Sequence, residues 1–415
     1  MDTFAEADAP FAMPSLMDPG VIEDPYPVFD RLREHSPVHW DASQNAWLIS
    51  SYAAVSEVLR QPKLFASDRA TFYSHYLPPE RKDVYDIVFH VYPRWMAGND
   101  PPVHDHMRRI VNTNWTPAKI GNLRAQVRET ISSLLDALPS DEPIDLVQSF
   151  AVPLPAIIIS SVIGIPPEHW SSIKKWTDDW GRLHFSPGKD VELWDKGAGA
   201  LKEFYSYVAS RLSERKKNAG NDYFARAIEA QFGGDRLSDD EITVHIIEQL
   251  FAGHETTTNL IGNGMLMLMR NRAQWQRLCA EPSLAASTVE EVLRYEGPVK
   301  MITRWAREDY ELCGKTIRKG DDILLLLAAG NRDPLQFDDP ERFDIGRSPN
   351  HHLTFGQGIH FCLGAPLARL EGEEVFRALA MRYPHFTLGA GEPRHRPIMR
   401  ARAIESLQVR LGAPV

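Results

Sequence analysis

One cysteine near the end of the sequence has neighbours that could make its sulfur reactive. Cys362 lies in the stretch Phe355-Gly-Gln-Gly-Ile-His-Phe-Cys-Leu-Gly364, and Pro366 follows two residues later. The glycines at 356, 358 and 364 let a backbone turn tightly and approach another group closely, and Pro366 suits the first turn of a helix. We therefore expect Cys362 just ahead of a helix N-terminus, which favours an anion. A thiolate there has a lowered pKa and acts as a nucleophile or a metal ligand, although most free cysteines are small buried apolar residues.

A carboxylate and a hydroxyl form a second candidate site. The segment Ala252-Gly-His-Glu-Thr-Thr-Thr258 lies inside an apolar helical pattern, and its glycine and threonines cost about 2–3 kcal/mol relative to alanine. The Thr256 hydroxyl can bond the Ala252 carbonyl and open a polar notch, with Glu255 beside it as a proton donor. A zinc-protease site is excluded, because its second histidine would have to replace Thr258. The alternative is a kinked helix with a structural role.

The elements that must position these groups are mostly helical. Ser238 and Glu241 form a capping box, and apolar residues then recur as far as about Arg270, which predicts a helix roughly 48 Å long. Helical spacing dominates residues 104–290, and the helix after Cys362 is expected to end near Tyr383. Residues 38–49 read as a β-hairpin, residues 310–317 as two short strands that turn through Gly314, residues 322–328 as a short buried strand, and residues 1–25 as an irregular arm.

Composition narrows the class of protein. Lys and Arg number 46 against 56 Asp and Glu, a net charge of −10, in a chain of 415 residues. This charge argues against nucleic acid or an anionic membrane as the main partner. Cys279, Cys313 and Cys362 form no disulfide framework. The acidic first residues lack the apolar run expected of a signal peptide or anchor, and no apolar run reaches membrane-spanning length. We expect a cytoplasmic protein with no membrane partner.

The motifs together resemble one family. The pattern Phe-x-x-Gly-x-x-x-Cys-x-Gly resembles the haem-binding loop of the cytochrome P450 family, and Ala-Gly-x-Glu-Thr resembles its oxygen-activation motif. The resemblance runs from Asp100 through the helix after Cys362. It implies a mostly α fold with a small β-rich lobe, formed by residues 1–415 as a single domain, and haem b between the long helix and the helix after Cys362.

The resemblance also assigns roles to the residues of the two motifs. Cys362 would be the iron ligand, and Glu255 and Thr256 would form the acid–alcohol pair that delivers protons during oxygen activation. The other residues that would contact the cofactor are Phe355, Gly358, Gly364 and Ala252.

Basic residues along the chain resemble the family's haem-propionate partners. Asp100-Pro-Pro-Val-His104-Asp-His-Met-Arg108 matches Asp-Pro-Pro-x-His-x-x-x-Arg, and Arg304 and His360 match the remaining positions. Such groups would bind propionates through charge-assisted hydrogen bonds. Any one of them alone is equally compatible with a surface role.

Glu291 and Arg294 stand three residues apart on a predicted helix. Taken alone, such a pair is usually a solvated ion pair of little energetic consequence. In the family a Glu-x-x-Arg pair joins an arginine of a later irregular segment to hold the cysteine loop, and Arg342 is expected to be that arginine.

Several apolar residues are candidates for the substrate pocket, although a place in the core suits them equally. Val299, Met301 and Ile302 precede Arg304 and would lie beside the haem, with Trp176, Trp180 and Phe185 above. Residues 68–100 are rich in aromatic side chains, including Phe89 and Trp95. This stretch is either a lid over an apolar pocket or a loop that packs its own aromatic rings.

The resemblance implies a monooxygenase that inserts one oxygen atom of O2 into an apolar small molecule in secondary metabolism or catabolism. A thiolate ligand favours O–O cleavage. We expect a monomer that receives electrons from NAD(P)H through a separate ferredoxin or flavodoxin and its reductase, with Arg109, Arg369 and Arg377 on the docking face. The alternatives are oxidative coupling, peroxide-driven oxidation, and a non-catalytic haem sensor or carrier.

Overall fold

The computed structural model describes residues 13–68, 85–112, 115–139, 142–185, 190–217, 223–225 and 237–414. Part of the aromatic-rich stretch (residues 69–84) and most of the predicted N-terminal arm (residues 1–12) therefore lie outside the described residues. Within the rest of that arm, Pro19–Glu23 is a short helix.

Helices dominate the described residues, as predicted. In chain order they are α1 (Pro19–Glu23), α2 (Tyr26–His35), α3 (Tyr52–Leu59), α4 (Asp86–Val91), α5 (Val103–Asn112), α6 (Pro117–Gly121), α7 (Arg124–Asp136), α8 (Pro153–Ile163), α9 (Trp170–Phe185), α10 (Val191–Lys217), α11 (Asp239–Arg270), α12 (Arg272–Ala280), α13 (Ala285–Glu296), α14 (Leu327–Gly330) and α15 (Ala365–Arg382).

Short strands form the β-rich part. They are β1 (Val38–Asp41), β2 (Ala46–Ile49), β3 (Phe65–Ala66), β4 (Ile144–Asp145), β5 (Ile302–Ala306), β6 (Tyr310–Leu312), β7 (Lys315–Ile317), β8 (Asp322–Leu325), β9 (Thr387–Leu388) and β10 (Gln408–Arg410). The main sheet has the order β1-β2-β8-β5-β3. Its β1–β2 pair is the predicted hairpin, with Trp40 opposite Trp47.

The long helix α11 is the central element of the helical part. Its capping box forms as predicted, with Ser238 and Glu241 each bonded to the backbone of the other, and the helix ends at Arg270. It packs against α8, α10, α13 and α15. A Cβ at Gly264 would lie 2.3 Å from Phe376 of α15, so glycine at this position lets α11 and α15 approach closely.

The main core surrounds α11 and includes buried side chains of α8, α10, α13 and α15. In the described part of the chain, no helix combines the length and apolarity needed to cross a membrane.

Candidate active site

The cysteine loop, residues 355–364, joins the irregular segment to α15. Gly358 has φ +69°, and a Cβ there would lie 2.8 Å from the Leu59 carbonyl oxygen, so both its conformation and its close contact require glycine. The Cys362 amide donates to the Phe355 carbonyl at 2.9 Å. Gly364 has an ordinary φ of −80° and needs no glycine for a turn, but a Cβ there would lie 4.0 Å from Cys362 Sγ.

The sulfur lies at the predicted helix terminus, with Pro366 in the first turn of α15. The prediction of a lowered pKa is wrong for the thiol as it stands. Burial raises the pKa of Cys362 more than the amides of Gly364 and Ala365, with the charges of Arg108 and Arg369, lower it. Because a metal ion displaces the thiol proton directly, a cation on the sulfur would reverse this balance.

A cavity of about 180 Å³, the cysteine cavity, lies between the cysteine loop and α11. Cys362 and Phe355 form one side of it, and Ala252 and Thr256 form the other. Its remaining lining is Met96, Ala97, His104, Arg108, Trp115, Glu248, Gln249, Gly253, Thr257, His360, Leu363, Gly364, Leu367 and Ala368.

Two histidines meet at one side of this cavity. The rings of His104 and His360 are 4.5 Å apart, and neither buried Nε2 atom has a hydrogen-bond partner among the described residues. The Nε2 of His360 lies 3.8 Å from Asp100, too far for a hydrogen bond. Burial lowers the pKa of His360 to about 4, and the charge of Arg304 lowers it further despite Asp100. Arg304 is itself buried on β5 and is not among the residues that line the cavity.

Arg108 and Trp115 bring further N–H groups to the cysteine cavity. Arg108 Nη2 donates to the Phe361 carbonyl at 2.9 Å, which links α5 to the cysteine loop. The buried Nε1 of Trp115 has no hydrogen-bond partner among the described residues. Sequence reasoning missed Trp115, because a tryptophan outside any motif is usually a core residue.

Glu255 and Thr256 lie on α11 as predicted. The Thr256 hydroxyl donates to the Ala252 carbonyl at 2.8 Å, and α11 remains helical throughout the segment. Glu255 Oε1 lies 3.3 Å from Arg396 Nη1. Burial raises the pKa of Glu255, while the charge of Arg396 acts in the opposite direction.

A second cavity of about 180 Å³, the aromatic cavity, shares Ala97, Glu248, Ala252 and Thr256 with the cysteine cavity. Its other lining residues are Trp95, His184, Phe185, Phe251, Glu255, Val299, Met301, Ile302 and Arg400. The predicted pocket residues Val299, Met301, Ile302, Trp95 and Phe185 therefore meet around one space.

Other predicted pocket residues do not line the aromatic cavity. Phe89 packs on the main core from α4 and is not among the residues that line this cavity. Trp180 is fully buried behind the wall, with its ring 4.8 Å from that of Trp95. Trp176 stacks on Phe204 and donates to Glu203. The periodicity of α9 shows its apolar face but not which side chain reaches the cavity.

A charged cavity of about 430 Å³ lies on the other side of Glu255. Asp178, Arg396 and Glu405 line it, together with Glu255 itself and Phe185. Glu255 and Phe185 thus border both this cavity and the aromatic cavity. Glu255 separates a mainly apolar space from one with charged walls.

Sequence reasoning also missed Glu248, which lies one helical turn before Ala252. Its carboxylate accepts the amides of Met96 and Ala97, each at 2.9 Å, and so holds that segment against α11. The spacing of Glu248 and Ala252 on one helix face was a usable signal, but the contact with residues 96–97 depends on the tertiary fold.

The Glu291–Arg294 pair is fully buried, and its two paired contacts measure 2.8 Å. The prediction for Arg342 is wrong. The Arg342 side chain is 62% exposed and lies 3.8 Å from Asp344, while only its carbonyl accepts from Arg294. Arg347, 11% exposed, lies 3.3 Å from Glu291 and is the third member of the cluster.

The side chains around the cysteine cavity fit haem. The Cys362 sulfur faces a helix across the cavity, and the buried Nε2 atoms of His104 and His360 and the Nε1–H of Trp115 have no hydrogen-bond partner among the described residues. A dianionic cofactor with a metal centre would satisfy both the sulfur and these donors. The fold and this site together assign the chain to the class of haem-thiolate proteins.

Comparison with known proteins supports this class. The Cytochrome P450 family model matches residues 186–388. The polyketide biosynthesis cytochrome P450 PksS of Bacillus subtilis (strain 168) is 36% identical over 398 residues, covering 94% of this chain and 96% of that protein. The 6-deoxyerythronolide B hydroxylase of Saccharopolyspora erythraea is 32% identical over 405 residues, which cover 96% of this chain and 99% of that protein. The crystal structure of P450BioI in complex with an acyl carrier protein that is ligated to hexadec-9Z-enoic acid matches with a TM-score of 0.87 and 32% identity. The match covers 94% of this chain and 99% of that chain.

The chain belongs to the cytochrome P450 family. It is a haem monooxygenase of the bacterial type, as the sequence motifs predicted. The family implies a haem cofactor, redox partners and a small-molecule substrate.

Proposed function

We propose that Cys362 ligates the iron of haem b, and that the protein inserts one oxygen atom of O2 into an apolar small molecule using electrons from NAD(P)H. The observation that carries this proposal is the position of the sulfur. It lies at the N-terminus of α15 and faces Ala252 and Thr256 of α11 across one cavity. When bound, haem supplies the reductive activation of O2, which a thiolate ligand favours.

The residues at the side of the cysteine cavity hold the cofactor. The rings of His104 and His360 lie 4.5 Å apart, and their buried Nε2 atoms, which have no hydrogen-bond partner among the described residues, bind the propionates. Arg108 lines the same cavity, and Arg304 adds positive charge behind His360. Phe355, Leu363 and Leu367 keep the surroundings of the sulfur apolar, which restricts water.

Glu255 and Thr256 deliver protons. Because burial raises the pKa of its carboxyl, Glu255 retains a proton more readily than an exposed glutamate. Arg396 holds that carboxyl at the border of the charged cavity, from which it is reprotonated. The Thr256 hydroxyl, fixed by the Ala252 carbonyl, lies where the cysteine and aromatic cavities meet and passes the proton on.

The substrate binds in the aromatic cavity. Its wall of Trp95, Phe185 and Phe251 suits an apolar or aromatic body. The name of one relative refers to polyketide biosynthesis, that of another to the hydroxylation of 6-deoxyerythronolide B, and a solved neighbour is in complex with an acyl carrier protein that carries hexadec-9Z-enoic acid. These likenesses support a substrate from secondary metabolism, either free or carrier-bound.

Electrons come from a ferredoxin or flavodoxin that docks near the cysteine loop. Arg369 donates to Glu290 at 2.7 Å, and Arg377 bonds Glu373 and Glu374. Arg109 is exposed on α5, where it contacts His106, and it follows Arg108, which contacts the cysteine loop. Because of this position, we assign the docking charge to Arg109.

The thiolate ligand is tested by the carbon monoxide difference spectrum of the reduced haem protein. Cys362→His is expected to lose the thiolate-type spectrum while Cys279→Ser retains it, because Cys279 lies on α12. A thiolate-type spectrum in Cys362→His would refute ligation by Cys362. Turnover with NADPH, ferredoxin and reductase separates a monooxygenase from a carrier, which would oxidise nothing.

A further inference from the structure

The aromatic cavity and the charged cavity meet at Phe185, the last residue of α9. The aromatic cavity has a volume of about 180 Å³ and the charged cavity one of about 430 Å³. Pockets for drug-sized ligands usually measure about 300–1,000 Å³. The aromatic cavity is smaller than this range, so the size of a substrate depends on whether the partition between the two cavities stays closed.

Among the described residues, Phe185 and Glu255 are the two that line both cavities, and together they form the partition. Glu255 is fixed in place. Its Oε1 lies 3.3 Å from Arg396 Nη1, and its side chain is 10% exposed. Since a buried charge pair is costly to break, we expect the Glu255 part of the partition to stay where it is.

Phe185 is held by apolar contacts alone. Its ring stacks on that of Phe251 at 5.8 Å and meets the His184 ring edge-on at 5.0 Å. On its other side it packs on a small apolar cluster formed by Ile398, Ala401 and Ala403. Phe185 is only partly buried, whereas Phe251 is 3% exposed. Truncation of Phe185 therefore removes a wall without leaving a buried polar group unpaired.

The partition is thin at the turn of α9 that precedes Phe185. Gly181 lies four residues earlier, on the same face of the helix, and lines the charged cavity. A Cβ at Gly181 would lie 3.3 Å from the Phe251 ring, which lines the aromatic cavity. Gly181 thus adds no side chain to the partition, and the Phe185 ring is the bulky group at this turn.

The charged cavity offers apolar surface next to Phe185. Leu193, Pro397 and Ile398 belong to its lining, and Ile398 packs directly on Phe185. An apolar chain that passed the position of the Phe185 ring would therefore remain in contact with apolar side chains.

We infer that Phe185 sets the length limit of the substrate, because its ring closes the aromatic cavity towards the charged cavity. This inference rests on the proposed function, since it takes the aromatic cavity as the substrate site, and it adds the residue that determines substrate size. A substrate has to fit between Phe185 and the place at Ala252 and Thr256 where the aromatic and cysteine cavities meet. A smaller residue at position 185 joins the aromatic cavity to the charged cavity.

The test uses uncharged probes that differ only in length. Phenylalkanols with two to ten methylene groups are titrated into the haem-loaded wild-type protein, and dissociation constants are measured by calorimetry. Each methylene group that enters an apolar cavity should tighten binding about three- to fourfold. Beyond the length that fills the aromatic cavity, the affinity should stay level or fall. An affinity that rises through the whole series, or that is independent of length, would overturn the inference.

Substitutions at position 185 should move this limit in both directions. In Phe185→Ala the affinity should continue to rise about three- to fourfold per methylene group beyond the wild-type limit. Phe185→Trp should stop the rise at a shorter probe, because the larger ring takes space from the aromatic cavity. A limit at the same probe length in wild type and both variants would refute a role for Phe185 in substrate size.

Leu193 distinguishes a joined cavity from one that is merely larger. It lines the charged cavity and not the aromatic cavity. Leu193→Trp should therefore leave the wild-type limit unchanged but shorten the limit of Phe185→Ala, because only in that variant does the probe reach the charged cavity. If Leu193→Trp has the same effect in both backgrounds, Phe185 does not separate the two cavities and the inference fails.

The carbon monoxide spectrum of the same samples keeps the two proposals apart. A length limit that moves with residue 185, in protein without the thiolate signature, would support the role of Phe185 and refute the proposed function. A normal thiolate signature with a limit that ignores residue 185 would do the reverse.

Discussion

At the residue scale, Glu255 and Thr256 are sequence neighbours with different surroundings. Glu255 borders both the aromatic and the charged cavities and lies beside Arg396. Thr256 borders the aromatic and cysteine cavities, and its hydroxyl donates to Ala252. In the proposed proton path, a proton from the charged cavity passes first to the Glu255 carboxyl and then to the Thr256 hydroxyl.

Replacing Thr256 with alanine should uncouple electron consumption from product formation. The variant should retain haem, because the side chain makes one local hydrogen bond, but should release hydrogen peroxide in place of much of the product. General acid–base catalysis contributes about 10²–10⁴-fold, so we expect product formation per NADPH to fall at least tenfold. Peroxide and product are measured against NADPH consumed.

The control for this substitution is Thr258→Ala. Thr258 is also buried on α11, but it lines neither the cysteine cavity nor the aromatic cavity. In the Thr258→Ala variant, NADPH consumption should remain coupled to product formation. Fully coupled turnover in Thr256→Ala would remove that hydroxyl from the proton path.

The motif residues could be predicted individually, but their ionisation could not. The sequence correctly indicates that Cys362 precedes a helix, and a helix terminus favours a thiolate. The opposing effect of burial depends on α5, α11 and α15 closing around the loop. Partners brought together by the fold, such as Arg396 for Glu255, leave no local pattern in the sequence.

At the element scale, a network of charges ties α13 to the irregular segment before the cysteine loop. Glu291 of α13 accepts from Arg294 and from the Asp344 amide at 2.8 Å. Arg347 joins the same carboxylate and donates to the carbonyls of Asp338 and Asp339. The segment is therefore held to α13 by buried polar contacts.

Arg347→Met should loosen this segment, and Arg342→Met should not. Hydrogen bonds to charged groups contribute about 1.5–3 kcal/mol each, so we expect the Arg347 variant to lose roughly 2–4 kcal/mol and to bind haem less tightly. Arg342 is 62% exposed, and its variant should stay within about 0.5 kcal/mol of wild type. Urea unfolding and haem transfer to apomyoglobin measure the two effects. A larger loss of stability and haem affinity in Arg342→Met than in Arg347→Met would identify Arg342 as the third member of the cluster with Glu291 and Arg294.

A buried carboxyl on α15 predicts a pH dependence of stability. Glu371 is fully buried, neither of its oxygens has a hydrogen-bond partner among the described residues, and burial raises its pKa to about 8. From about pH 4.5 upward the unfolded chain loses this proton while the folded protein keeps it, so the free energy of unfolding falls until about pH 8. The loss at this one site would be roughly 3–5 kcal/mol.

Glu371→Gln should remove most of this fall in urea-unfolding free energies measured from pH 5 to pH 8. The control is Glu373→Gln on the same helix. Burial raises the pKa of Glu373, but Arg124 and Arg377 hold it below its usual value. Its stabilisation is therefore lost as pH falls, and the control variant should keep the wild-type decline above pH 5. If Glu371→Gln shows that decline undiminished, Glu371 is not its source.

Helix ends were predictable where local chemistry determines them. The Ser238–Glu241 capping box begins α11 as expected, and α11 ends at Arg270. The third arginine of the α13 network was not predictable in the same way. Arg342 and Arg347 both lie in an irregular segment, and only its path in space brings Arg347 to Glu291.

At the scale of the whole molecule, the motifs predicted the fold because they are far apart in sequence and the family resemblance assigns them to one cofactor. His104, Arg108 and Cys362 can serve the same haem only if α5 and the cysteine loop meet, and Arg108 does bond the Phe361 carbonyl. The residues that line the aromatic cavity are not linked by a shared motif or cofactor in this way. Arg400, Glu248 and His184 come from separate elements, so nothing local in the sequence predicted that they would share a cavity.

The surface near the cysteine loop has to attract an electron donor although the chain carries a net charge of −10. Ferredoxins are acidic, so the overall charges repel and only a local positive region can orient the encounter. Arg109 is exposed on α5, contacts His106 and follows Arg108, which bonds the cysteine loop. Phe361 of the cysteine loop is 40% exposed close by.

Arg109→Glu should therefore slow reduction by ferredoxin about tenfold at low ionic strength, as measured by stopped-flow under carbon monoxide. The difference from wild type should shrink above about 0.3 M salt, because the screening length then falls well below 10 Å. Arg318→Glu makes the same change in net charge on an arginine that pairs with Asp309 and is 67% exposed, next to β7. If both reversals slow reduction equally, total charge governs the encounter; if only Arg109→Glu does, the donor docks beside the cysteine loop.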